Sequence, residues 1–237
     1  MFDRIRKVLS GSAPGLRRGP GADHASPSLE PVSQWASTQG MAFTQGSGPG
    51  SGSGFALKGY VGGKPWRLEL GRPSRDYIHG QELRARAELG IDEDAAVLLM
   101  NRPLKDALEK KAYATYTDGL QTIAAMGLPE EIRWLSLYQE VGWDSLPREF
   151  WARYAVLADR RENALAWIDP PLAQQLMAWP QPAPGPEVPF MLLLLRGKAY
   201  LRMQYDSASM STFQHATAVF TGACEAAIGG LPAGRPR

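Results

Sequence analysis

Cysteine, histidine and long apolar runs are scarce in this chain, and each scarcity removes a class of function. One cysteine among 237 residues, Cys224, cannot close an intramolecular disulfide. That excludes the framework of a small secreted fold and points to a reducing compartment. The three histidines, His24, His79 and His215, stand without His-x3-His or Cys-x2-Cys spacing, so no metal site and no cofactor is expected. Cys224 lies nine residues after His215, and at about 100° per residue the two point to opposite sides of a helix, which argues against a Cys-His nucleophile. No Gly-x-Ser-x-Gly elbow occurs either. The run "FMLLLL" at 190–195 is as long as any pure apolar stretch, whereas a bilayer span takes about 18 residues or more. The start "MFDRIRKVL" runs into "SGSAPGLRRGPG" rather than an apolar segment, so an ordinary secretory signal is excluded and a cytoplasmic protein is expected.

Net charge is small, with 26 basic against 24 acidic residues. The small surplus is concentrated at one end. Residues 1–23 carry Arg4, Arg6, Lys7, Arg17 and Arg18 against Asp3 and Asp23, so the remaining chain is one charge short of neutral. A folded domain of that balance is not expected to carry the basic face that nucleic acid requires. The tail itself has a pattern. Phe2, Ile5, Val8 and Leu9 fall on one side of a helical wheel, with Arg4 and Lys7 opposite, as in a segment that folds on an anionic membrane surface or in a partner groove. The expected partner is therefore a protein or the inner membrane face, met through Phe2, Arg4, Ile5, Lys7 and Leu9.

Residues 1–29 otherwise read as a disordered basic tail, 30–230 as one domain and 231–237 as a loose end. "PVSQWASTQG" predicts a short helix with Pro31 in its first turn and Gly40 as its stop, and "MAFT" a strand. The glycines of "GSGPGSGSGF", residues 46–55, differ only by even numbers and no helix follows, so they form no dinucleotide fingerprint. They read as a slack loop at 46–54 or as a boundary before a core that begins at Phe55. "GYVGGKP" has Pro65 where a phosphate loop needs Ser or Thr, and alternation on both sides makes it a hairpin turned at Gly62-Gly63. A second hairpin lies in "PFMLLLLRGKAYLRMQY", its first arm apolar on both faces and hence a covered central strand.

"AVLLMNRPLKDAL" (96–108) echoes "ALAWIDPPLAQQL" (164–176), with Asn101 and Asp169 placed as N-caps before a first-turn proline. The echo is either a duplicated strand-helix-helix unit or two helices begun by the same common chemistry. "SMSTFQHATAVFTGACEAAIGG" predicts a long amphipathic helix with Ser211 and Gln214 as a capping box and Gly229-Gly230 as its stop. From "RYAVLADRRENALAWIDPPLAQQLMAW" through the second hairpin to this helix, about residues 150–228, the chain resembles the closing half of a bacterial family of domains of unknown function. The shared pattern is a strand, an Ala-rich helical turn, a proline-started helix, a hairpin and a long helix. The resemblance implies an α+β fold and supplies no activity.

The fold expected from the pattern is α+β, an antiparallel sheet built from hairpins with helices packed on one face. The densest polar cluster is "ELGRPSRDYIHGQELRAR", 69–86. Arg72, Arg75, Asp76, Tyr77 and His79 follow a strand there, close to Glu82. They could hold an anion or a partner, His79 with Asp76 could act as an acid/base pair, or the segment is a solvated turn whose charges pair locally. Nothing in the chain demands catalysis, so the balance falls on a non-catalytic accessory or binding protein, with an enzyme or anion-binding loop at Arg72–Glu82 as the alternative.

Overall fold

The computed structural model describes residues 29–46, 54–118, 130–206 and 209–234. The amphipathic tail with Phe2, Arg4, Ile5, Lys7 and Leu9 and the interior of the glycine run lie outside them. The described elements are, in order, α1 (Glu30–Thr38), β1 (Ala42–Gln45), β2 (Phe55–Val61), β3 (Lys64–Gly71), β4 (Gln81–Glu88), β5 (Val97–Asn101), α2 (Arg102–Asp118), α3 (Glu130–Leu137), β6 (Gln139–Glu140), α4 (Arg148–Arg153), β7 (Tyr154–Ala158), α5 (Arg161–Trp167), α6 (Pro170–Met177), β8 (Phe190–Leu195), β9 (Lys198–Tyr205) and α7 (Met210–Gly230). The strands form one antiparallel sheet in the order β1-β2-β3-β4-β9-β8-β5-β7-β6, so the fold is α+β.

Two-residue turns set the hairpin registers. Gly62 and Gly63 take φ of 54° and 74°, and Arg196 and Gly197 take 53° and 70°, the left-handed backbone that matches strand twist. Of the 41–45 stretch, Ala42–Gln45 belongs to the sheet as its edge strand, because β1 pairs with β2 from Ala42 opposite Lys58 to Gln45 opposite Phe55. Gly46 N–H donates to the Gly54 carbonyl at 2.8 Å, so the glycine run connects two neighbouring strands.

One face of the sheet is covered by α1, α5, α6 and α7. The inward positions Leu57, Trp66, Leu68, Leu83, Val97, Leu99, Val156, Leu192 and Leu201 are buried there against Phe213, Val219, Phe220 and Ala223 of α7. Phe213 meets Trp35 and Phe55 edge-on at 5.5 and 5.4 Å, and the Trp167 indole N–H donates to the Ala223 carbonyl at 2.8 Å, which ties α5 to α7. Cys224 is buried on the same stripe, and burial pushes its thiol up to about 12, so it is a packing residue.

Several local expectations are corrected. Helix α7 begins at Met210, so Ser209, in extended backbone, caps it by accepting from Thr212 N–H at 3.2 Å, not Ser211 with Gln214. Gly229 and Gly230 are the last helical residues, and Leu231 ends the helix. The end beyond 230 is tied down through residue 234: Ala233 bridges Ile91, and Gly234 N–H donates to Gly90 O at 2.8 Å. Of the echoed segments, 97–101 is strand β5, whereas 164–167 lies in helix α5. Asp169 does cap α6, accepting from Leu172 N–H at 2.8 Å. Asn101 instead donates to Pro186 O at 2.7 Å and accepts from Phe190 N–H at 2.9 Å. The two segments thus share a proline in the first turn of a helix, Pro103 in α2 and Pro170-Pro171 in α6, but neither the cap nor the element before it.

His215 sits between α7 and α6, its ring N–H donating to the Gln175 carbonyl at 2.8 Å beside Trp179. Burial lowers its pKa, against a smaller upward pull from that hydrogen bond. A histidine whose folded pKa lies below its unfolded value of about 6.5 contributes stability that is complete above that pH and declines as pH falls through it. The urea midpoint should therefore drop between about pH 7.5 and pH 5.5, and drop less in His215→Gln; equal slopes in urea titrations of the two would refute this.

Candidate functional site

Where helices cover the second face of the sheet is decided by strand composition. Strands β5 and β7 are buried at every position and β8 at five of six, so both of their faces need cover. Helices α2 and α3 supply it, packing Leu104, Leu108 and Ile132 on Leu98, Met100, Leu157, Met191 and Leu193. Strands β2, β3, β4 and β9 alternate instead, and their outward positions include Lys58, Tyr60, Arg67, Glu69, Arg84, Arg86, Glu88, Tyr200 and Arg202. These positions are mostly charged, with Tyr60 and Tyr200 among them, and no described helix lies over that half of the face. The result is a groove of about 1010 Å³ floored by these strands, with Glu130 and Trp134 of α3 on one side and Gly40 and Ala42 on the other. Gly59 serves the opposite face of the same strand: a Cβ there would strike the Trp66 indole, 2.7 Å from Cζ2.

The groove holds six cations, Lys58, Arg67, Arg84, Arg86, Arg196 and Arg202, against the carboxylates of Glu69, Glu88 and Glu130. Register makes a row of them. Lys58 lies opposite Arg67, Arg67 opposite Arg86, and Arg86 opposite Tyr200. Three like charges thus face one another across three neighbouring strands, an arrangement that costs stability. Compensation is incomplete, because each carboxylate is shared. Glu69 serves Arg67 and, at 3.4 Å, Arg84. Glu88 serves Arg86 and, at 3.3 Å, Lys198; its hydrogen bonds to those two cations hold its pKa down. Lys58 has no carboxylate partner among the described residues.

At the α3 end of the groove the floor is fixed by a buried polar knot. Glu131 is 1% and Glu82 0% exposed. Arg75 donates from Nε to Glu131 Oε1 at 2.6 Å, Tyr77 O–H donates to the same oxygen at 3.1 Å, and Arg202 Nη1 lies 3.8 Å from it. Arg202 Nε is 3.5 Å from Glu82 Oε1, and Ser74 N–H donates to Glu82 Oε2 at 2.6 Å. Burial pulls the Arg75 guanidinium down, but the hydrogen bond and charge of Glu131 outweigh it and hold the group above its usual value. Burial, helped by the Glu131 charge, holds the Tyr77 phenol far above its usual range.

The residues singled out in the 69–86 stretch are thus divided. Arg75 and Tyr77 meet on Glu131, with Glu82 two ion-pair contacts away through Arg202. Asp76 turns to Lys111 of α2, whose hydrogen bond lowers the carboxyl pKa. Arg72 and His79 are exposed, and His79 is engaged through its backbone N–H, donating to Gln204 Oε1 at 2.8 Å. No hydrogen bond joins Asp76 to His79 among the described residues. What the sequence did not announce is Glu131, 49 residues beyond Glu82 and without a motif, and the cationic row. Lys58 and Arg67 were visible as the polar half of an alternating hairpin; Arg86 was not, because the stretch that reads as a loop or solvated turn ends in strand β4, Gln81–Glu88, nor were the register and the lack of a helical cover.

Among the described residues no group of three or more His, Cys, Asp or Glu side chains could hold a metal ion, and no helix is long and apolar enough to cross a membrane. No family model matches the chain, and no curated protein matches it. Among solved structures, the chain is similar to the crystal structure of the mycobacterial trehalose monomycolate transport factor A, TtfA, with a TM-score of 0.46 at 10% identity, covering 86% of this chain and 96% of that one.

Proposed function

We propose that the protein is a non-catalytic binding module that receives an anionic partner on the open face of its sheet. One observation carries this: Lys58, Arg67 and Arg86 stand in register on adjacent strands, Lys58 without a carboxylate among the described residues and the other two with carboxylates shared with Arg84 and Lys198. Opposed like charges cost roughly 0.2–1 kcal/mol per pair, a cost that a bound anion removes. The basic tail, with Arg4, Lys7, Arg17 and Arg18, adds longer-range attraction for the same class of partner. The alternative at Arg72–Glu82 is less well supported, since Arg75 and Tyr77 are committed to Glu131 and Asp76 to Lys111.

The test is elution from immobilised heparin of the full chain and of Lys58→Gln/Arg67→Gln/Arg86→Gln. The triple variant should elute at lower salt, with the log-log salt slope of binding falling by about one per cation removed. It should also unfold at an equal or higher urea concentration, because only repulsion and exposed ion pairs are lost. Unchanged elution would assign retention to the tail and end the proposal for the sheet face.

A further inference from the structure

The composition of the groove narrows the class of anion. Resting on the binding role above, we infer that the open face takes an acidic protein segment bearing apolar side chains, in preference to a uniform polyphosphate or a bilayer. The groove is a mosaic. Glu69 and Glu88 stand two residues from Arg67 and Arg86 on the same strands, and Glu130 stands on the wall. A nucleic-acid backbone, negative at every step, would meet these carboxylates wherever it met the arginines; a polypeptide can place a neutral or basic residue there.

Apolar anchors lie in the same groove. Tyr60 is 79% exposed on β2, and the part-buried Trp134, Tyr200 and Leu195 line the opposite end. Arginine with tyrosine and tryptophan is the set that dominates protein-protein contacts, and isolated charge attraction has no use for the aromatic members. Size and shape agree. About 1010 Å³ is at the top of the range for small-ligand pockets, roughly 300–1,000 Å³, so a single small anion would leave most of it to water. A recessed floor between α3 and the α1–β1 corner also suits an extended segment better than a flat lipid surface.

The experiment measures affinity of the full chain at about 0.1 M salt for four probes: a random copolymer of glutamate and tyrosine, a glutamate homopolymer, a single-stranded oligothymidylate, and phosphatidylglycerol-phosphatidylcholine vesicles. The mixed copolymer should bind at least ~10-fold more tightly than the oligothymidylate or the homopolymer, and Tyr60→Ser should remove most of its advantage over the homopolymer. Oligothymidylate or vesicles binding as tightly as the copolymer, with loss in Lys58→Gln/Arg67→Gln/Arg86→Gln, overturns the partner class and leaves the anion-binding face standing. If that triple variant binds all four probes as the native chain does, the anion-binding face itself is wrong.

Discussion

Replacing Arg202 with methionine is expected to lower the unfolding free energy by about 3 kcal/mol, read by urea titration with tryptophan fluorescence. The size follows from what the guanidinium leaves behind. Glu82 and Glu131 are wholly buried, and a buried carboxylate without a cation costs several kcal/mol. Glu131 keeps Arg75 and Tyr77 at 2.6 and 3.1 Å. Glu82 keeps only the Ser74 N–H at 2.6 Å. The damage therefore falls on Glu82, and adding Glu82→Gln to Arg202→Met should recover part of the loss, since the amide still accepts from Ser74 with no charge to strand. A loss below about 1 kcal/mol for the single variant, or strict additivity in the double, would mean that solvent reaches Glu82 and that the knot is an ordinary surface pair.

That knot also explains why part of the site was legible in the sequence and part was not. Alternation along 55–70 and 198–205 decided which residues face the core, and the structure buries Leu57, Trp66, Leu68, Leu201 and Met203 accordingly. Positive φ at Gly62 and Gly63 followed from the hairpin. These are local consequences of strand period and turn sterics. The groove is not local: it exists because β8 pairs with β5 across about ninety residues of chain and brings α2 and α3 over one half of the sheet only. Near-neutral composition suggested that no basic face would form. Composition counts charges without placing them, and here register gathers Lys58, Arg67 and Arg86 on one side while Glu149 and Glu162 lie on α4 and α5 and Asp92 in the β4–β5 loop. Glu131 had no signal at all, because what makes it part of the site is burial beside Arg75 and Arg202, and both contacts are tertiary.

Gly229 and Gly230 look interchangeable in the sequence, and the second large effect separates them. Gly230→Ala is expected to destabilise by about 1–3 kcal/mol, as overpacking does, whereas Gly229→Ala should be neutral or stabilising by up to about 1 kcal/mol through helix propensity. A Cβ at Gly229 meets nothing within 4 Å. One at Gly230 would overlap the backbone carbonyl of Ala166 in α5, and a backbone atom cannot swing aside as a long side chain can. Nor can α5 retreat freely, because its Trp167 indole is hydrogen-bonded to the Ala223 carbonyl of α7 at 2.8 Å, one-hundredth exposed. The close approach is thus fixed from both ends, by the missing side chain at 230 and by the indole. Removing that bond in Trp167→Phe should make Gly230→Ala cheaper in the double variant than in the native background. If thermal unfolding finds Gly230→Ala as stable as the native chain, α5 slides on α7 at little cost, and the Trp167 bond does not hold the two helices in register.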